Sequence, residues 1–134
     1  MNIKETIINI FPSAQKIENK LDCYLLNSRR YLIFWNDSIS KDSVDLVLTS
    51  LESKTNDLMS TKMKTLIVVG KTIDRFKKKE LLFFNGVDTF VVFYLINELK
   101  NEVYMNDSWI FTMGLNYRRY VKKIHAAITH EQVP

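Results

Sequence analysis

Apolar positions along the chain follow two rhythms. Ile3, Ile7, Ile8, Ile10 and Phe11 recur at helical spacing and stop at Pro12, which predicts a short amphipathic helix over 3–11. Residues 13–20 are polar and read as a loop. Two apolar runs follow, Leu21–Leu26 and Tyr31–Trp35. Asn27-Ser28-Arg29-Arg30 lies between them with turn chemistry, predicting a β-hairpin across 21–36. Helical spacing returns with Val44, Val47, Leu48, Leu51, Leu58 and Met59, predicting a helix over 41–59. Ser40 or Asp42 can cap its start by accepting a bond from an orphan N–H, and Asp42 and Asp45 suit the positive end of the helix dipole.

Met63–Val69 is almost continuously apolar. Such a run needs burial on both faces and predicts a central strand, ended by Gly70. Thr72–Lys79 is basic and reads as a loop or a single helical turn. Leu81–Phe84 is a further strand, and Asn85-Gly86 is a strong hairpin signal because both residues tolerate positive φ. Thr89–Ile96 returns as a second buried strand, and Val103–Met105 adds an edge strand. Asn106–Phe111 fits strand or loop. Asn116–Ala127 has the pattern of an amphipathic helix, with Tyr117, Tyr120, Val121, Ile124 and the following Ile128 on one face and Arg118, Arg119, Lys122 and Lys123 on its flanks. The order predicts a single α+β domain over 1–134, with a mostly antiparallel sheet of five to six strands and three helices on one face.

Composition narrows the function classes. The chain has 134 residues, 46% hydrophobic and 25% charged, a globular balance able to bury its own core without a disulfide or metal staple. The single cysteine, Cys23, excludes a disulfide framework and a multi-cysteine zinc site. The opening MNIKETIINIFPSAQ has no secretory h-region, and the longest apolar run, Phe90–Ile96, is far short of the ~20 residues of a membrane span. The expected compartment is a reducing cytoplasm, and the Lys-, Asn- and Ile-rich usage points to an AT-rich, bacterial genome. Net charge is +4, of which residues 68–134 carry +3, with ten basic and seven acidic residues. This mild excess permits an anionic partner without demanding one.

Catalytic constellations do not assemble from the residues. Val69-Gly70-Lys71-Thr72 has the end of a phosphate-binding loop, but the upstream glycine position is Thr65, so the anion nest cannot form. Asp88 and Glu98-Leu99-Lys100 match the letters of a metal-dependent nuclease. They sit at opposite ends of one expected strand, about 30 Å apart at ~3.3 Å per residue, where metal ligands cannot converge. Cys23 lies in an apolar strand as a small hydrophobe, and His125 and His130 are five residues apart on different helical faces. No catalytic residue, metal ligand, cofactor or small-molecule substrate is expected, and the chain reads as a non-enzyme.

Two basic clusters remain, Arg75, Lys77, Lys78 and Lys79 in one loop and Arg118, Arg119, Lys122 and Lys123 on the last helix. They suit phosphates, an acidic protein surface, or simply solvent. The sixteen Phe, Tyr and Trp residues are a second signal. Neighbours such as Phe34-Trp35 and Phe83-Phe84 must face opposite sides of a sheet. Either helices cover both faces or one aromatic face meets a partner. With three helices on one face, a partner surface formed by Phe34, Trp35, Phe83, Phe84 and Trp109 is the expectation.

The segment from Thr65 to Ile124 resembles the small middle component of bacterial ABC-three-component, Lamassu-type, defence systems. The resemblance covers under half the chain. It is carried by the TLIVV strand, the hairpin around Asn85-Gly86-Val87-Asp88-Thr89-Phe90, the Asn106-Asp107-Ser108-Trp109-Ile110-Phe111 stretch and the Asn116-Tyr117-Arg118-Arg119-Tyr120 helix. It implies a non-enzymatic accessory subunit in an antiviral complex with an SMC/Rad50-like coiled-coil ATPase and an effector nuclease, held inactive until foreign DNA is sensed. It transfers no site residue. The alternative expectation is a small nucleic-acid-binding module using the basic loop and the basic helix.

Overall fold

In the computed structural model, residues 3–11, 14–17, 21–27, 30–55, 64–85, 89–100, 102–105 and 126 are described. Helix α1 (Ile3–Ile10) leads into strand β1 (Gln15–Lys16), then β2 (Asp22–Asn27) and β3 (Arg30–Phe34). Helix α2 (Val44–Thr55) connects β3 to β4 (Lys64–Lys71). A 3-10 turn at Lys78–Leu81 precedes β5 (Leu82–Asn85), β6 (Thr89–Asn97) and β7 (Glu102–Met105). Among the described residues the sheet has seven strands in the order β1-β2-β3-β4-β6-β5, and β7 also pairs with β6.

This is an α+β fold with a mostly antiparallel, partly mixed sheet. The β1–β2, β2–β3, β5–β6 and β6–β7 ladders are antiparallel, whereas β3–β4 and β4–β6 are parallel. The central position expected for Met63–Val69 is realised, because β4 lies between β3 and β6. Its register places Leu66 beside Tyr31 and Val91, and Val69 beside Phe34 and Tyr94. Strands β5 and β7 share the far side of β6: β5 pairs with Thr89–Val92, and β7 with Tyr94–Asn97.

Alternation along the buried strands builds two cores. Leu32, Phe34, Ile67, Val69, Val92, Tyr94 and Ile96 face one side and pack with Ile7 and Phe11 at α1. Tyr31, Ile33, Leu66, Val68, Val91, Phe93 and Leu95 face the other and pack with Val44, Val47 and Leu51 of α2 and with Phe76 and Leu81. Helices therefore cover both faces, not one. The physical reason lies in β4 and β6: both are apolar at successive positions, so each sheet face needs its own lid. Each large side chain enclosed this way contributes roughly 1.5–3 kcal/mol.

Other boundaries moved for identifiable reasons. The polar stretch 13–20 contains β1, a two-residue exposed edge strand whose ladder bonds need no apolar pattern. Gly70 does not end β4. The strand continues to Lys71, and the chain after β3 closes over it, with Trp35 N–H donating to the Val69 carbonyl at 2.9 Å and Ile39 N–H to the Lys71 carbonyl at 2.8 Å. A Cβ at position 70 would lie 2.9 Å from Ile39 Cδ1 and 3.6 Å from Trp35 Cβ. Glycine is what allows the buried Ile39 to lie directly on the strand. Helix α2 starts at Val44 and not at 41, because Ser40–Ser43 closes a separate turn before it: Ser40 N–H donates to Ser43 Oγ at 2.8 Å and Ser43 N–H to Ser40 Oγ at 3.2 Å. Apart from Ala126, which is helical and exposed, the expected helix 116–127 lies outside the described residues, as does Asn106–Phe111. No described helix is long and apolar enough to cross a membrane.

The packing at position 70 sets a test. Gly70→Val forces the Ile39 side chain off the strand and should destabilise the protein by about 1–3 kcal/mol, read from urea denaturation midpoints. The double variant Gly70→Val/Ile39→Ala should recover part of the loss, because it removes the colliding methyl groups.

Candidate functional site

The three parallel strands β3, β4 and β6 end on the same edge of the sheet, and their following segments meet there. Crevices outside the carboxyl ends of parallel strands are where open sheets most often recruit ligands. Thr72 N–H donates to the Ile96 carbonyl at 3.0 Å, joining the chain after β4 to the end of β6. Lys41 N–H donates to Asp74 Oδ2 at 2.8 Å, joining the segment before α2 to the same loop. Asp74 is held in turn by its own N–H, which donates to Thr72 Oγ1 at 3.0 Å.

Asn97 is the polar anchor of this edge. Its residue is fully buried. Its amide donates to the Asp74 carbonyl and to Tyr104 Oη, both at 3.4 Å, and its oxygen accepts from Lys100 N–H at 3.1 Å. A buried amide with these partners fixes the loop after β4 against the β6–β7 turn. Tyr104 continues the chain by donating to Glu102 Oε2 at 2.8 Å. Burial, then the neighbouring Glu102 carboxylate, raises the Tyr104 phenol above its ordinary value, so it remains the donor at neutral pH.

Charge on the edge is largely paired. Lys41 Nζ lies 3.5 Å from Glu80, Lys71 Nζ 3.2 Å from Glu98, and Arg75 Nη2 3.5 Å from Glu102. Glu80 also accepts Lys77 N–H at 2.8 Å. That bond chiefly, with Lys41 and Lys77 close by, holds its carboxyl below the usual value. Lys77, Lys78 and Lys79 are all exposed on the 72–81 connection. Of the expected basic loop, then, Arg75 is tied to Glu102 while the three lysines extend beyond it. Arg118, Arg119, Lys122 and Lys123 lie outside the described residues.

The aromatic residues distribute unevenly. Phe34 is enclosed at 8% exposure, stacked edge-on against Tyr24 at 5.9 Å, so it offers no contact surface. Trp35 and Phe83 are half-buried, and Phe83 packs edge-on against the buried Phe93 at 5.6 Å. Phe84 alone among these is exposed, at 53%, resting on Phe90 with ring centroids 4.9 Å apart. Trp109 lies outside the described residues. Phe34-Trp35 and Phe83-Phe84 do face opposite sides, but of the rings that a partner was expected to cover Phe34 is enclosed in the core beside α1, and Trp35 and Phe83 are partly covered on the α2 side.

The sequence reading overlooked two features. Ile73 and Leu99 are exposed at 66% and 83%, just beyond the carboxyl ends of β4 and β6. Their signal was available: each is a lone aliphatic residue in an otherwise polar turn. The second is a cation–aromatic group on α1, β1 and β2. Asp22 is bridged by Lys4 and, at 3.6 Å, by Lys16, and both ammonium groups lie within 6 Å of the Tyr24 ring centroid. The hydrogen bond to Asp22 raises the Lys4 pKa. The group ties α1 to the sheet edge as a structural clasp.

Of the other chemical readings, Gly70-Lys71 sits inside a strand and not in a phosphate-binding turn. Glu98 and Lys100 lie in the turn after β6, while Asp88 is outside the described residues. Cys23 is buried, and both histidines lie outside the described residues. Among the described residues, no three His, Cys, Asp or Glu side chains gather as metal ligands would.

Two substitutions probe the edge. Asn97→Ala leaves the Lys100 N–H and Asp74 carbonyl short of a partner and should cost about 1–3 kcal/mol in denaturant unfolding. Glu80 has a folded pKa below its ordinary 4.5, so its contribution is present above about pH 4.5 and disappears as pH falls through the folded value. Glu80→Gln should therefore lower stability at pH 7, and the difference from wild type should close at pH 2–3.

Compared with known proteins, the chain matches no family model, no curated protein and no solved structure.

Proposed function

We propose that this protein is a non-enzymatic interaction subunit of a bacterial complex, of the kind the Lamassu-type resemblance implies. Its partners in that reading are an SMC/Rad50-like ATPase and an effector nuclease in the cytoplasm, and its role is to help hold the effector inactive until foreign DNA is sensed. The supporting observation is that Ile73, Phe84 and Leu99 stay exposed although helices cover both faces of the sheet. Burying such side chains is favourable at roughly 25 cal/mol per Å², and a partner surface is the means of doing so. Among the expected contact rings the reading rests on Phe84; Trp35 and Phe83 are half-buried on the opposite face of the sheet.

A second reading, a small nucleic-acid-binding module, draws support from the exposed Lys77, Lys78 and Lys79. It predicts an affinity for duplex DNA or RNA that falls steeply with salt.

Co-expression with the products of neighbouring genes tests the first reading. At least one of them should co-purify with the tagged chain in a fixed ratio, and Phe84→Asp should weaken that association while leaving the isolated chain folded. Failure of every neighbouring product to co-purify would remove it.

A further inference from the structure

We infer that residues 116–128 pack as an amphipathic helix across β4 and β6 on the α1 side of the sheet, with Tyr117, Tyr120, Val121, Ile124 and Ile128 against the strands and Arg118, Arg119, Lys122 and Lys123 turned to solvent. The inference stands apart from the subunit reading, because the occupant of the face is this chain's own C-terminal segment.

The face is buried more completely than its described cover allows. On β6, Val92 and Tyr94 are fully enclosed and Ile96 is 2% exposed; on β4, Ile67 is fully enclosed and Val69 is 4% exposed. All five belong to the cluster on the α1 side. Among the described members of that cluster, Ile7, Ile8, Phe11 and Ala14 alone come from outside the sheet. Helix α1 is fastened toward the other end of the sheet: Lys4 pairs with Asp22 on β2 and lies over the rings of Tyr24 on β2 and Phe34 on β3.

The dimensions do not match. Helix α1 has eight residues, so it is about 12 Å long and about 10 Å across. The buried patch is about 14 Å wide from β2 to β6 at ~4.8 Å per strand, and Val92–Ile96 alone runs about 13 Å along β6. Half-buried Leu82, Phe90, Val103 and Met105 carry the same apolar surface on to β5 and β7. Helix α1 therefore begins the cover on this face and a second element completes it over β4 and β6.

The C-terminal segment fits as that element. Met105 ends β7, pairs with Tyr94 and packs on the same cluster, so the chain enters residues 106–134 from beside the patch. The stretch 106–116 can span up to about 35 Å, whereas β4 lies two strand spacings, about 10 Å, from β7. Of the other chain outside the described residues, 56–63 leads from α2 on the opposite face, and each remaining internal stretch is three residues or fewer. Tyr117, Tyr120, Val121, Ile124 and Ile128 follow i, i+3, i+4, i+7 and i+11, the apolar stripe of a helix lying on a sheet. Ala126 gives the orientation independently. It is helical and exposed, and at about 100° per residue it falls on the side opposite that stripe. Arg118, Arg119, Lys122 and Lys123 fall on the same half of the helix as Ala126, where their charges stay hydrated.

The test uses the full chain. With Ile, Leu and Val methyl groups labelled, nuclear Overhauser contacts should join Val121 and Ile124 to Val92 or Ile96. In an equal mixture of labelled and unlabelled chains, isotope filtering should place those contacts within one molecule. Val121→Ala/Ile124→Ala should lower the urea midpoint by about 1 M or more, whereas Arg118→Glu/Lys122→Glu should move it by less than about 0.3 M. Absence of the contacts, contacts that arise between molecules and so seat a second copy on the face, or a charge-reversed pair as damaging as the alanine pair would overturn the proposal. Each of these readouts comes from the chain alone, so the subunit reading stands or falls separately on co-purification.

Discussion

The structure depends on the placement of β4 between two parallel partners. With β3 on one side and β6 on the other, every backbone group along Leu66–Val69 is committed to the sheet, and its side chains are buried on both faces. A strand in that position leaves no face for solvent, so two separate lids are obligatory. Ile7 and Phe11 at α1 cover one face, and Val44, Val47 and Leu51 of α2 the other. Gly70 and Ile39 show how closely that constraint extends to the strand's end, because the segment entering α2 packs onto the backbone itself.

Parallel pairing also determines where the polar chemistry collects. β3, β4 and β6 finish together, so the segment before α2, the 72–81 connection and the β6–β7 turn are forced into one neighbourhood. A buried amide, Asn97, and a carboxylate, Asp74, hold them there, and three ion pairs spread over the surface of the junction. The pairs are exposed and each contributes little to stability. Their consequence is local: each ties one of the emerging segments to a neighbour at the junction.

The aromatic content illustrates how an accurate local inference can lead to a different global arrangement. Alternation correctly sends Phe34 and Trp35, and Phe83 and Phe84, to opposite faces. What those faces then meet depends on where the helices pack. α1 precedes the sheet and α2 crosses between β3 and β4, and nothing in the periodicity of either helix states which side it takes. Phe34 is enclosed for that reason, and Phe84, at the far strand of the sheet, is left exposed.

The amino-acid sequence by itself determined the local pieces: the short first helix, the 21–36 hairpin, a helix following Ser40–Ser43, and the doubly buried strands read at 63–69 and 89–96. Those features follow from apolar spacing, capping side chains and turn residues, all of which act over a few positions. It also marked Lys77, Lys78 and Lys79 as a basic loop. Tertiary structure alone decided that β3, β4 and β6 run parallel, that β1 forms from polar residues, and that Arg75 is bound to Glu102 while Ile73 and Leu99 stay exposed. Those outcomes are settled by backbone pairing and helix placement between residues far apart in the chain, and such pairings leave no periodic trace in the order of the amino acids.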